Sequence, residues 1–193
     1  MKWYNQLFSN STADAKVHNC MLSSERIKLV PIDESYLSFL LDLRWNKNIC
    51  ETIIFEPITK EQQLNWYKNL KNAQMFCICL KDGTPIGAIG AFEIHSIHRR
   101  CKWTLRIHPD HWRKGYAAEA VKIFLDYIFN TLNINKLMGD CFSDNIAEVN
   151  NLRKLGFKEE GLWKEHYFHK GKYRDAIQFV MLKRDYDKII NSL

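Results

Sequence analysis

Three stretches of this 193-residue chain predict an α/β fold: a mixed, mostly antiparallel central sheet with helices on both faces. Cys101 to Asn130 runs from an alternating strand, through Pro109 and a basic turn containing Gly115, into an amphipathic helix. Ile86 to Ile94 is apolar on both of its faces, the pattern of a strand covered on two sides in the middle of a sheet. Leu162–Phe168 and Tyr173–Leu182 flank His169-Lys170-Gly171-Lys172 as a closing hairpin.

Composition bounds the classes that remain. A content of 46% hydrophobic and 13% aromatic residues is that of a globular chain, and the length suits one domain with a short appendage. No apolar run approaches the roughly 20 residues of a membrane span, and Met1 onward lacks the basic-then-apolar pattern of a secretory signal. Cys20, Cys50, Cys77, Cys79, Cys101 and Cys141 are scattered, several within strand patterns, and read as free thiols in a reducing, cytoplasmic setting. The formal charge of +6 suits an anionic ligand, but its spread along the chain argues against a nucleic-acid partner.

In chain order, residues 1–22 show no periodicity and form an expected N-terminal extension to a domain over 23–188, with 189–193 as a tail. Arg26–Val30 alternates and stops at Pro31, a first strand. Asp33 caps a helix over about 34–44, with Tyr36, Leu37, Leu40, Leu41 and Leu43 on its apolar side. Arg44–Asn48 breaks that pattern, and Ile53–Pro57 reads as a loop. Thr59 with Gln62 has the form of a capping box opening a second helix to about Asn72, its Leu64, Tyr67 and Leu70 facing inward. This insert is either a substrate lid or simple core cover. Met75–Leu80 is a strand, Asp82-Gly83 a hairpin turn, and His95–Arg100 a polar loop. Lys136–Phe142 is another strand. Ser143, Asp144 and Asn145 offer caps for a helix to Leu155, ended by Gly156 in the left-handed region with Phe157 packing back.

The turn Trp112-Arg113-Lys114-Gly115-Tyr116-Ala117-Ala118 is an anion site by construction. The first amides of a helix lack intrahelical partners, and the macrodipole adds partial positive charge there. Gly115 and Ala117 let a ligand approach the backbone, and Arg113 and Lys114 add full charges.

Four runs, in this order, resemble the GCN5-related N-acetyltransferase (GNAT) family, in its bacterial-type ribosomal-protein and spermidine branch. They are Arg26-Ile27-Lys28-Leu29; His108 to Ala120; Asp144-Asn145-Ile146-Ala147 with Lys154-Leu155-Gly156-Phe157; and Gly171 to Ala176. The resemblance implies acetyl-CoA as co-substrate, with no metal. Its diphosphate would lie on the amides from Arg113 to Ala118. Its pantetheine arm would add to the backbone of Leu105 and Ile107, in a slot left where that strand splays from the strand ending at Cys141, with Asn145 touching the arm. Trp112 stands where the family commonly has Gln or Arg.

Transfer from a thioester to an amine needs a proton acceptor, an oxyanion donor and a departing thiolate. Glu93, the one ionisable group closing the apolar strand, is the expected base, its pKa raised by desolvation; the bland reading pairs it with Arg99 or Arg100. Spermidine-type relatives carry a tyrosine acid where this chain has Leu152, so Ser143 and Tyr116 stand as substitutes. Glu148, where ribosomal-protein-type relatives have Ser, reads as compensation of a helix dipole. Cys141 is set aside as a nucleophile, since direct transfer needs none, and the three His-x-x-His pairs do not converge as metal ligands on strands and loops.

The implied activity is acetyl-CoA-dependent N-acetylation, by direct transfer in a ternary complex, of a small-molecule amine (a polyamine or amino sugar) or of a protein N-terminus. Lys102, found where spermidine-type relatives have an acid, speaks against a polyamine. The alternative is a non-catalytic acyl-CoA-binding module of the same fold. A homodimer is left open.

Overall fold

The computed structural model describes residues 22–51 and 56–190, so the expected extension (apart from Leu22) and residues 52–55 of the expected loop lie outside the described residues. Seven strands form one sheet in the order β1-β2-β3-β4-β5-β7-β6. They are β1 (Ile27–Pro31), β2 (Gln74–Leu80), β3 (Pro85–His95), β4 (Arg100–Ile107), β5 (Lys136–Phe142), β6 (Lys158–His169) and β7 (Lys172–Leu182). Every neighbouring pair is antiparallel except β4 and β5, which are parallel. The crossover between those two contains α4 (Tyr116–Asp126), whose last turns widen into a π-helical stretch over Tyr127–Thr131.

The two sheet faces are covered as expected. Ile89, Ala91, Cys101, Trp103 and Leu137 pack with Ala120, Val121, Phe124 and Leu125 of α4 and with Val149 and Leu152 of α5 (Ile146–Lys154). Each such large side chain contributes roughly 1.5–3 kcal/mol on full burial. On the other face Ala88 lies under Leu40 and Leu43 of α1 (Leu37–Trp45) and Ile49 of α2 (Lys47–Cys50), with Trp66 of α3 (Lys60–Lys68) alongside. Asp33 and the Thr59–Gln62 box cap as expected, at 2.8 Å for Ser35 N to Asp33 Oδ1 and 3.1 Å for Gln62 N to Thr59 Oγ1.

Several elements differ from the sequence expectation. In α3 the fully buried residue is Gln63, while Leu64 and Tyr67, and Leu70 just beyond its end at Lys68, are half-buried. The break expected at Arg44–Asn48 is found, with α1 ending at Trp45 and Asn46 extended, but Asn46 also caps the short α2 that follows, a helix the sequence does not predict. β6 begins at Lys158, four residues early, because its first residues already pair with β7, Lys158 opposite Val180 and Glu159 opposite Phe179. A sixth helix, α6 (Lys183–Ile190), follows β7 and runs two residues into the expected tail, with Tyr186 stacked on Phe129 at 5.0 Å. Among the described residues no helix is long and apolar enough to cross a membrane.

β4 and β5 part early. They pair only from Arg100↔Lys136 to Lys102↔Met138, although β4 continues to Ile107 and β5 to Phe142. At the next step the Trp103 indole crosses Gly139 so closely that a Cβ there would lie 2.6 Å from Nε1. The ring is held by stacking on Phe157 at 5.1 Å and lies over Phe124 at 6.3 Å. It fills the apex of the splay, and the two strand edges beyond it stay unpaired. Gly139→Ala is therefore expected to displace the indole and cost ~1–3 kcal/mol, read as a lower urea midpoint at unchanged slope; an unaltered midpoint would show that the wedge is not tightly filled.

Candidate active site

Two cavities meet at the splay. One, of about 430 Å³, is lined by Leu105 and Ile107 of β4, by Trp112, Gly115 and Ala117 of the basic turn, and by Asn145 and Asn151 beside α5. The other, of about 340 Å³, is lined by Trp103, Thr104, Gly139, Cys141, Phe142, Leu152 and Tyr167. Leu105, Arg106, Asn145 and Glu148 border both.

The turn has the geometry its sequence demands. Gly115 has φ +83°, which glycine adopts without strain, and opens α4 with no side-chain cap. The first helical donor engaged is Glu119 N, to Gly115 O at 3.2 Å, which leaves the amides of Tyr116, Ala117 and Ala118 unbonded among the described residues. The turn is braced from outside: Arg26 donates to Lys114 O at 3.0 Å, pairs with Glu119 at 2.6 Å and covers the Tyr116 ring at 4.8 Å. Ser24 also donates to Glu119, whose carboxyl these bonds hold below its usual range despite burial.

Of the expected coenzyme residues, Leu105, Ile107, Trp112, Arg113, Gly115, Tyr116, Ala117 and Asn145 border the larger cavity, whereas Lys114 and Ala118 do not. Trp112, 41% exposed, has a bond its sequence did not suggest: Nε1–H donates to Ile107 O at 2.7 Å. That carbonyl is already engaged, so an added strand would have to rely on Leu105. Asn145 caps α5, its Oδ1 accepting from Glu148 N at 3.3 Å, and its amide nitrogen stays available.

The expected catalytic residues fare differently. Glu93 is not desolvated. It sits at φ +51° in a bulge of β3, its side chain is 61% exposed and held by Lys102 Nζ at 2.9 Å, and it borders neither cavity. The bulge turns it off the apolar strand face, and its partner is Lys102, not Arg99 or Arg100. Ser143 likewise borders neither cavity; its amide is tied to Asp175 O at 2.9 Å. Tyr116 borders only the cavity at the turn, under Arg26.

The group that matches the requirement is Glu148. It stands four residues before the buried Leu152, on the same inward side of α5, a spacing that could have identified it. Its carboxyl makes no hydrogen bond or ion pair among the described residues, and burial alone raises its pKa. Cys141 nearby is a poor nucleophile, because burial, aided by Glu148 and Asp140, pushes its thiol up to about 12.

The smaller cavity forms a chamber bordered by Asp140, Phe142 and Tyr167, next to which distant parts of the chain meet. Tyr167 donates to Asp140 at 2.5 Å, and burial with that bond raises the phenol's pKa. His169 donates to Cys50 O at 3.0 Å and accepts from Arg174 at 3.2 Å. Arg174 also pairs with Asp144 and lies 3.6 Å over the Phe142 ring.

The family model of the acetyltransferase (GNAT) domain matches residues 26–158. The chain belongs to the GNAT acetyltransferase family. It is 29% identical over 169 residues to spermidine N(1)-acetyltransferase of Escherichia coli (strain K12), covering 86% of this chain and 91% of that protein. It is 33% identical over 115 residues to an uncharacterized N-acetyltransferase, p20, of Bacillus licheniformis, covering 59% of this chain and 65% of the relative. The crystal structure of spermidine N-acetyltransferase from Vibrio cholerae in complex with CoA and spermine superposes with a TM-score of 0.79 at 28% identity, over 84% of this chain and 99% of that one. The mixed sheet and its splay are thus those of a GNAT acetyltransferase, and the activity of this chain is acetyl-CoA-dependent N-acetylation of an amine.

A carboxyl whose pKa is higher in the folded than in the unfolded chain destabilises the fold once pH exceeds its ordinary value of 4.5, with the full cost above the folded-state pKa. Glu148→Gln is expected to raise the thermal midpoint near neutral pH, with the gain vanishing as pH falls toward 4.5. A pH-independent difference would contradict this.

Proposed function

We propose that the chain acetylates a small-molecule primary amine within a ternary complex, with Glu148 taking the proton. The observation that carries this is an unpaired, desolvated carboxyl on the border shared by the two cavities. The coenzyme diphosphate would be held by the amides of Tyr116, Ala117 and Ala118 with Arg113, and the pantetheine would follow the unpaired edge of β4 at Leu105, touching Asn145.

The thioester then ends at the shared border, and the amine enters from the chamber. Glu148 accepts a proton from the ammonium, the nitrogen lone pair forms the C–N bond, and the carbonyl electrons move to oxygen. Collapse of that adduct expels the thiolate, a tolerable leaving group because an unperturbed thiol ionises at about pH 8.5. With Leu152 in place of a tyrosine acid, solvent water relays to the thiolate the second proton, which the nitrogen sheds as the adduct collapses to the amide. The protonated state of Cys141 supports direct transfer over an acyl-enzyme. Glu93, solvated and paired with Lys102, is assigned no proton transfer.

Spermidine enters as a candidate acceptor from the relatives' names, beside amino sugars and peptide N-termini. The decisive measurement is acetylation across that panel together with calorimetry for acetyl-CoA. Coenzyme uptake without acetylation of any amine would leave the non-catalytic module as the reading. For a competent acceptor, kcat should rise with pH through a limb set by the raised Glu148 pKa. Glu148→Gln should remove that limb and lower kcat by ~10²–10⁴-fold with acetyl-CoA affinity nearly unchanged. An intact limb in the variant would remove Glu148 from the chemistry.

A further inference from the structure

We propose that Arg106, with Arg44 beside it, forms an anion seat in the acceptor chamber, so that the amine acetylated carries a carboxylate or phosphate a few bonds from its reactive nitrogen. The inference rests on the acetyltransferase reading and deepens it by naming the acceptor's second functional group.

Arg106 pairs across the sheet with Ala88, the residue covered by Leu40, Leu43 and Ile49. Its guanidinium therefore belongs to the α1–α2 face, while Leu105 and Ile107, alternate residues of the same strand, pack into the core on the α4 side. It borders both cavities. Among the described residues it makes no hydrogen bond or ion pair, and its Nε is buried without a partner. Arg174, which lies over the Phe142 ring that borders the chamber, is engaged by Asp144 and His169.

The acids on hand do not neutralise Arg106. Asp140 is occupied by the Tyr167 hydroxyl, and Glu148 forms no ion pair with it although both border the same cavities. Arg44, at the end of α1, carries a second half-buried guanidinium with no hydrogen bond or ion pair among the described residues. Burial and the neighbouring Arg44 charge both depress the Arg106 pKa, and burial depresses that of Arg44 although the Glu56 carboxylate opposes it. Two like charges this close, one of them on the cavity border, make an arrangement that a bound anion relieves. The planar guanidinium fork matches carboxylate or phosphate oxygens in pairs. With Glu148 beyond, the chamber presents a cation and an anion to opposite ends of one small molecule. That complements an amine bearing an acidic group better than it complements a chain of ammonium groups.

The test is calorimetry on the full chain saturated with CoA, which occupies the diphosphate site. The probes are two matched pairs, putrescine with ornithine and ethanolamine with O-phosphoethanolamine, plus spermidine. The acid-bearing member of at least one pair should bind about tenfold tighter than its plain partner, and the better pair tells carboxylate from phosphate. Arg106→Leu should erase that preference while the plain amine and acetyl-CoA stay within about twofold. Arg44→Met should reduce it less, and Arg106→Lys should retain part of it, which separates a lost charge from a lost fold. Equal or tighter binding of the plain amines or spermidine overturns the seat. So does a preference that survives Arg106→Leu, a variant whose effect falls on acetyl-CoA alone, or the absence of binding by every probe. Acetyl-CoA uptake by the unaltered chain, measured separately, tells failure of this inference from failure of the acetyltransferase reading.

Discussion

The Trp103 indole lying across Gly139 is the constraint on which the rest of the molecule turns. A sheet whose middle strands paired to their ends would be more fully hydrogen-bonded and would have no slot. Here the ladder between β4 and β5 stops after three residue pairs, and an aromatic ring clamped between Phe157 and Phe124 occupies the vertex. The outer edges of both strands remain laddered, to β3 and to β7. The opening therefore cannot close by sliding one strand along the other, and the exposed edges must be met by solvent or by the amides of a ligand.

Pre-arrangement continues at the mouth. A helix N-terminus attracts an anion only if its amides are unbonded and aimed together, and a loop rich in small residues would tend to wander. Arg26, from the first strand region, prevents that by tying the turn's carbonyl and the helix's Glu119 into one cluster. Trp112 fastens the end of β4 to the same turn through the Ile107 carbonyl. Trp112 thus has a structural role here: its indole donor anchors the strand end to the turn.

Much of this was legible in the amino-acid order because local rules dictate it. The alternation of Cys101 to Ile107, the capping chemistry of Asp33 and Thr59, and the left-handed position at Gly156 each depend on a few neighbouring residues, and each is found. The carboxyl proposed as the base was harder to read. Glu93 looked buried because its strand is apolar, but a bulge turns it outward, and bulges leave little trace in a hydrophobic pattern. Glu148 looked like an ordinary first-turn acid, and only its phase relative to Leu152 betrays it. Arg106 carried no signal at all. On an alternating strand it reads as the solvent side, and it becomes buried because a helical insert from much earlier in the chain covers that face, a tertiary fact.

The bond from His169 to the carbonyl of Cys50, spanning 119 positions of sequence, carries a consequence for how such a protein can diversify. The larger cavity is drawn mainly from one contiguous middle stretch of chain, whereas beside the smaller one an early helical insert and a late hairpin meet at Cys50 with His169 and at Glu51 with Lys170. Mutations accumulating at the two ends would reshape what is admitted without disturbing the grip on the donor. A lineage built this way is free to exchange acceptors while inheriting its carrier unchanged.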